Sequence, residues 1–172
     1  APLLVNGRPL KSINQFYNKR KAHLQAQLPE GRKSSKRIRQ LAHKRNLKVN
    51  DYLHKASRVI IDWCVQHNIA VLVIGKNKGW KHQIDIGRRN NQNFTQIPFA
   101  RFIEMLEYKG QLKGIQVITH EESYTSKCSF LDLEPIETHT VYAGKRVKRG
   151  LFRASDGRTI NADINGALNI IR

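Results

Sequence analysis

Residues 69–75, Ile69-Ala70-Val71-Leu72-Val73-Ile74-Gly75, form an uninterrupted apolar run of strand length. A run with no polar alternation has no face to give to water, so it predicts a β-strand buried on both faces, as in the interior of a parallel sheet. Its surroundings extend the pattern. Pro98 opens a helix that carries Phe99, Phe102, Ile103 and Leu106 on one face, Gly110 ends it, and Gly114-Ile115-Gln116-Val117-Ile118 follows as another strand. Strand, helix and strand in that order predict a right-handed crossover in an α/β chain.

The flanking segments are mostly helical. Leu3-Leu4-Val5-Asn6-Gly7 reads as a strand running into a turn. Between Ser12 and Leu28, Ile13, Phe16, Tyr17, Leu24 and Leu28 fall on one helical face, with Ser12 as cap and Pro29-Glu30-Gly31 as stop. A second helix begins near Ser34-Ser35. Its clearest stretch spaces Val49, Tyr52, Leu53, Ala56, Ile60, Trp63 and Cys64 by threes and fours, and Asn68 ends it. Residues 76–97 read as a long polar loop, of a length that is usually functional. Residues 119–161 show no clear periodicity, and 162–171 form a last helix carrying Ile164, Ala167, Leu168 and Ile171.

Charge narrows the function. The 172 residues carry 31 Lys and Arg against 13 Asp and Glu, a net +18. Residues 1–60 hold 15 of those cations against only Glu30 and Asp51, a net +13. Such polarity is the footprint of a polyanion binder, because each cation placed near a phosphate releases condensed counterions; a solvated basic helix pair would show the same composition. No apolar run approaches the roughly 20 residues of a membrane span, and no secretory leader is recognisable at Ala1. Two cysteines, Cys64 and Cys128, are too few for a disulfide framework and point to a reducing compartment, the cytoplasm. A chain that starts at Ala1 and has its one Met at 105 reads as a piece of a longer one.

Four clusters have the residue types for chemistry. Glu121-Glu122-Ser123-Tyr124-Thr125-Ser126-Lys127 follows the strand ending near Thr119; ligands bind beyond the carboxyl ends of parallel strands, and paired carboxylates suit a hard divalent cation, although a solvated loop has the same pattern. Asp163, in Asn161-Ala162-Asp163-Ile164-Asn165, stands in the first turn of the last helix, where capping or the helix dipole also accounts for an acid. Asp85, in Ile84-Asp85-Ile86-Gly87, imitates a strand-borne nuclease acid, but His82, Arg88, Arg89 and Asn90 make its surroundings polar. Gly144-Lys145-Arg146-Val147-Lys148-Arg149-Gly150 sets four cations between glycines, flanked by Tyr142 and Phe152. Cations for phosphates and aromatics for bases suit a single-strand or heteroduplex groove; a flexible basic loop is the plain alternative.

Motif order carries a resemblance across nearly the whole chain. Asn-Gly-Arg-Pro-Leu-Lys-Ser-Ile-Asn-Gln at 6–15, Tyr-Asn-Lys at 17–19, Asp-Tyr-Leu-His-Lys-Ala-Ser at 51–57, Ile-Gly-Lys-Asn-Lys at 74–78, Glu-Ser-Tyr-Thr-Ser-Lys-Cys-Ser at 122–129 and Asn-Ala-Asp-Ile-Asn-Gly-Ala-Leu-Asn-Ile at 161–170 resemble the OrfB/TnpB proteins of insertion sequences. These are named transposases and are similar to RNA-guided DNA endonucleases related to the type V CRISPR effectors. The resemblance implies an RNase H-like (RuvC-like) α/β fold, incomplete at the N-terminus. It divides the chain into a nuclease domain over 1–118 with a basic helical insertion at about 12–67, a degenerate zinc-ribbon-like segment over 119–160, and the domain's last helix over 161–172. Implied partners are DNA and guide RNA, and the implied cofactor is Mg²⁺ or Mn²⁺.

The family's metal-binding acids transfer incompletely. Asp163 matches the third, which gives it a catalytic and metal-ligating role. The first belongs to a strand expected before residue 1. The second is replaced by Gly75, which cannot bind metal, so either the site is dead or another acid substitutes. Glu122 is the expected substitute, as catalytic residue and ligand, with Glu121 second. Relatives also carry a four-cysteine ribbon; here Cys128 stands alone, Leu131 sits three residues later, and 152–157 contain no Cys. A tetrahedral zinc site needs four ligands, and His120, His139 and Cys128 supply at most three, so a metal-free remnant is expected.

The expected nucleic-acid contacts are Arg8, Lys11, Lys19, Arg20, Lys21, Lys36, Arg37, Arg39, Lys44 and Arg45 in the early helices, and Lys145, Arg146, Lys148 and Arg149 in the basic loop. The leading reading is thus the C-terminal part of a metal-dependent, RNA-guided DNA endonuclease. The rival is a catalytically inactive, guide-dependent DNA-binding repressor of the same descent. A structural RNA binder would explain the charge but not the motif order.

Overall fold

The computed structural model describes residues 3–76 and 96–172, which divide into two compact units. Asp85 and most of the expected 76–97 loop lie outside the described residues. One unit takes residues 3–70 together with the segment up to 115; the other takes 71–76 and 116–172.

The helical unit begins with α1 (Arg8–Ala26), which starts a turn earlier than the Ser12 cap predicted. Pro9 in its first turn explains the shift, since proline's fixed φ suits a helix start and its missing N–H costs nothing there. Residues 3–7, read as a strand, are irregular; a strand needs a ladder partner, and the Asn6 carbonyl accepts instead from the Tyr52 hydroxyl. Helix α2 (Lys36–Gln66) is capped as expected, the Ser35 hydroxyl accepting from the Ile38 amide at 3.3 Å. It spans 31 residues, roughly 46 Å at about 1.5 Å per residue. Asn68 terminates it in the left-handed region, φ 53°.

Helix α3 (Phe99–Gln111) packs on α2. Leu10, Val49, Leu53 and Met105 form the shared core, with Ile13, Tyr52, Ile97 and Phe102 against it. A polar clamp reinforces the packing: Lys109 Nζ donates to the Ser57 hydroxyl at 2.7 Å and to the His54 carbonyl at 2.8 Å.

In the second unit, β1 (Val71–Gly75) pairs in parallel with β2 (Gln116–His120), in register from Val71 opposite Gln116 to Gly75 opposite His120. The parallel pairing agrees with the expectation, but β1 is half-buried rather than enclosed, because among the described residues its one ladder neighbour is β2. The basic segment read as a loop is instead an edge strand, β3 (Lys145–Lys148), antiparallel to β4 (Leu151–Arg153), which pairs with β5 (Thr159–Asn161). Gly150 at φ 76° makes the β3–β4 reversal. Phe152 is 1% exposed under this sheet, and a Cβ at Gly144 would meet its ring at 2.4 Å, so the segment before β3 must pass it as glycine.

Helix α4 (Ala162–Ile170) closes the unit. Its buried Asn165 and Asn169, one turn apart, grip the chain that follows β2. Asn165 Nδ2 donates to the Cys128 carbonyl and Asn169 Nδ2 to those of Thr125 and Cys128, each at 2.9 Å, while Asn165 Oδ1 accepts from the Phe130 amide at 3.0 Å. A buried carboxylate completes the link, Glu134 accepting from the Ser129 amide at 2.7 Å and the Ala143 amide at 2.8 Å. Leu53→Ala, which empties the centre of the helical core, should cost about 2–5 kcal/mol, read as a lower urea midpoint for loss of helical signal.

Candidate functional site

The carboxyl ends of β1 and β2 bring Gly75 and Glu122 together. A Cβ at Gly75 would fall 2.7 Å from Glu122 Oε2, 3.0 Å from Glu122 Cβ and 2.6 Å from Ile170 Cδ1. The Glu122 side chain therefore fills the space that a side chain at position 75 would take. Its backbone is held as well, the Glu122 carbonyl accepting from the Thr125 hydroxyl at 2.8 Å and the Thr125 amide at 3.3 Å. Glu121 is exposed and accepts from the Ser123 hydroxyl at 3.0 Å.

Asp163 is not the cap of α4. Asn161 does that work, its side-chain oxygen accepting from the Asp163 amide at 2.9 Å and the Ile164 amide at 3.2 Å. The Asp163 carboxylate is left at the surface, 77% exposed, 3.6 Å from Arg146 Nη2 on β3. Seven residues separate Asp163 from Ile170, about 10 Å of helix rise, whereas Ile170 is the residue that reaches the Gly75–Glu122 contact. Among the described residues no three His, Cys, Asp or Glu side chains converge tightly enough to hold a metal ion. The donors Asp163, Glu122 and Glu121 are hard oxygens that fit Mg²⁺ or Mn²⁺, and Glu122 fits the space at Gly75, but the acids are not gathered around one point.

The ribbon chemistry is separate. Cys128 is fully buried and burial pushes its thiol pKa up, which disfavours the thiolate a metal needs. His139 Nε2 contacts the Pro135 carbonyl and His120 Nδ1 the Glu121 carbonyl. Asp132 accepts from the Ser155 hydroxyl at 2.5 Å and the Ser155 amide at 3.1 Å, joining residues that precede and follow the basic hairpin. Hydrogen bonds from the Ser129 and Ser155 side chains hold the Asp132 carboxyl below its ordinary pKa.

The expected nucleic-acid contacts divide by role. Arg8, Lys19, Arg20, Lys36, Arg37, Arg39 and Lys44 are exposed, as are Lys145, Arg146, Lys148 and Arg149 on the hairpin, while Lys11 and Lys21 are half-buried. Arg45 is engaged inside its unit: Nε and Nη2 donate to the buried Asn14 Oδ1 at 2.9 and 2.7 Å, Nη2 donates also to the Gln96 carbonyl, and the guanidinium lies 5.8 Å from the Tyr17 ring. Burial lowers its pKa. Phe152 is too buried to stack on a base. Two cations escaped the sequence reading. Lys48 lines with Lys44, Phe16 and Tyr17 a cleft of about 300 Å³, and its four-residue spacing from Lys44 was the available signal. Lys127 Nζ lies 6.0 Å from both the Tyr124 and Tyr142 ring centres; Tyr124 is three residues away, but Tyr142 is 15 away, a contact that no local pattern reports.

Known proteins resemble the chain as follows. The family model described as "Probable transposase", OrfB_IS605, matches residues 2–81, and the Cas12f1-like TNB domain model matches 99–170. The two matches, each covering under half of the chain, together support a member of the OrfB/TnpB family. It is 27% identical over 128 residues to the CRISPR-associated endodeoxyribonuclease Cas12f2 of a Micrarchaeota archaeon, covering 69% of this chain and 22% of that protein. It is 26% identical over 129 residues to the TnpB-like protein MJ0751 of Methanocaldococcus jannaschii, covering 69% and 43%. The OrfB/TnpB chain thus spans less than half the length of either relative. A solved Cas12f1, in a cryo-EM complex with single-guide RNA and target DNA, superposes with a TM-score of 0.71 at 20% identity over 96% of this chain and 42% of that one, so the α/β architecture is of the TnpB/Cas12 kind.

The Gly75 contact makes a direct prediction. Gly75→Ala should destabilise the chain by about 1–3 kcal/mol through overpacking, and Glu122→Ala should restore part of that loss in the double variant. Thermal denaturation of the four proteins checks it; simple additivity would mean the two positions do not share the space.

Proposed function

We propose that this chain is the C-terminal part of a divalent-metal-dependent, RNA-guided DNA endonuclease that acts in the cytoplasm on DNA held with a guide RNA. The observation that carries the reading is Glu122 filling the space at Gly75, in a chain whose family motifs run in order. A carboxylate lost from the end of one parallel strand is supplied after its neighbour, so an oxygen donor stays at the strand ends where ligands bind. In this reading residues 1–118 are the RuvC-like, RNase H-like domain with its helical insertion, 119–160 are a zinc ribbon that has lost its metal, and 161–172 return to the domain.

Asp163 and Glu122 are the proposed ligands, with Glu121, next to Glu122 in the chain, as a further donor. A bound divalent cation supplies the charge that activates water and stabilises the leaving oxygen in phosphodiester hydrolysis. The protein's own side chains do the positioning. Glu122 is seated against Gly75 and Ile170, Arg146 on β3 lies 3.6 Å from the Asp163 carboxylate, and the exposed Lys145, Lys148 and Arg149 of the same hairpin are available to a phosphate backbone.

The inactive, guide-dependent DNA-binding alternative has its own support in Gly75 and in the separation of the acids along α4. The two readings part in the full-length protein with its guide RNA. Cleavage of matched DNA in Mg²⁺, abolished by Glu122→Gln while DNA binding persists, is the expected result; unchanged cutting by that variant would remove Glu122 from the site, and no cutting by the parent protein would favour the repressor. For nucleic-acid binding, replacing Lys145, Arg146, Lys148 and Arg149 by Ala should reduce the slope of log affinity against log salt by about 0.9 for each lost duplex phosphate contact, measured by fluorescence anisotropy over a salt series.

A further inference from the structure

Helices α1 and α2 leave between them a cleft of about 300 Å³, lined by Ile13, Phe16, Tyr17, Leu41, Lys44 and Lys48 among others. Every lining residue belongs to one of these two helices. Helix α3 packs on α2 further along, where Met105 shares a core with Val49 and Leu53 and Lys109 donates to Ser57. Among the described residues no third helix therefore finishes the apolar seam beside Leu41. Its walls show the result: Phe16 is 65% exposed, and Ile13, Tyr17 and Leu41 are half-buried. A contiguous apolar patch with a polar rim is the usual mark of an interaction surface.

The rim carries one sign of charge. Lys44 and Lys48 are exposed, one turn apart on α2, and among the described residues neither forms an ion pair. No Asp or Glu lines the cleft. The third cation, Arg45, is turned onto Asn14, a neutral group that leaves its charge uncompensated. Complementarity thus asks for carboxylates or phosphates beside the recess.

The recess itself decides between them. A phosphate chain brings no apolar group to fill walls made by Ile13, Phe16 and Leu41. A base entering there would lose water from its hydrogen-bonding edge, and the uncharged polar side chains of the lining are only Ser12 and Tyr17. Aliphatic or aromatic side chains lose nothing on entry and gain contacts. One amphipathic helix supplies both needs, with apolar residues at i, i+3 and i+4 on one face and carboxylates a turn apart beside them.

We propose that the α1–α2 cleft is a protein docking site whose occupant is an acidic amphipathic helix of a partner, its apolar anchors in the recess against Phe16 and its carboxylates on Lys44 and Lys48. The assignment does not rest on the nuclease reading, and it gives Lys44 a carboxylate to answer where the sequence suggested a phosphate.

The test uses three fluorescein-labelled peptides of about 18 residues, long enough for a helix, titrated into the 172-residue chain and followed by anisotropy. The first has Leu at i, i+3, i+4 and i+7 with Glu on the adjoining positions; the second has the same residues reordered so that no face is apolar; the third has Lys for Glu. The parent chain should bind the first about tenfold more tightly than either other peptide. Phe16→Ala, a change outside the Leu10–Met105 core, should erase the advantage over the reordered peptide. Lys44→Glu with Lys48→Glu, a change confined to the surface, should turn the preference towards the Lys peptide. Equal binding of the patterned and reordered peptides, or no binding of any, overturns the proposal. So does a cleft that serves nucleic acid instead, seen as a single-stranded RNA that displaces the patterned peptide and is itself weakened by Phe16→Ala.

Discussion

The grip of α4 on the turn after β2 is the constraint on which the second unit depends. A polar group inside protein must find a partner or forfeit its hydration. Asn165 and Asn169 answer that need for the Thr125 and Cys128 carbonyls and the Phe130 amide, so residues 125–130 are held by side chains rather than by a ladder. Because the grip spans one helical turn, it fixes both the position and the rotation of α4. Asp163 at one end of that helix and Ile170 at the other then have determined places, and Ile170 helps close the space at Gly75 against Glu122.

The same logic accounts for the segment around the basic hairpin, which is tied by carboxylates and amides: Glu134 joins Ser129 to Ala143, and Asp132 accepts from Ser155. Each link is weaker than a metal bond, but together they tie residues on both sides of the basic hairpin. Cys128 becomes a buried small hydrophobe, its thiol kept protonated by its surroundings. The hairpin gains from being an edge strand. Its backbone is half paired, its cations stand exposed, and like charges along an edge discourage pairing with another sheet.

Local patterns carried most of the element boundaries. Helix spacing from Val49 to Cys64, the Ser35 cap and the Asn68 stop are all short-range effects of backbone sterics and hydrogen bonding, and they appear where the sequence placed them. Misreadings arose where a local signal lost to a partner. Residues 3–7 have strand composition without a ladder; residues 144–150 have loop composition but acquire β4 as a neighbour. Phe152 looked like a stacking residue because its position under the sheet depends on Gly144, eight residues away.

By itself, the sequence determined the family resemblance, the parallel pairing of two strands around a helix-bearing connection, and the surplus of positive charge. Those properties follow from residue order and composition, which act locally or sum over the chain. Tertiary structure decided which polar groups meet. It made Asn161 rather than Asp163 the cap, assigned Arg45 to an internal bond, seated Glu122 at Gly75, and left one acceptor of Asn169 unpaired beside Tyr124. The Asn161 cap is a local contact, but the others join residues tens of positions apart, and only closure of the chain brings their atoms within reach.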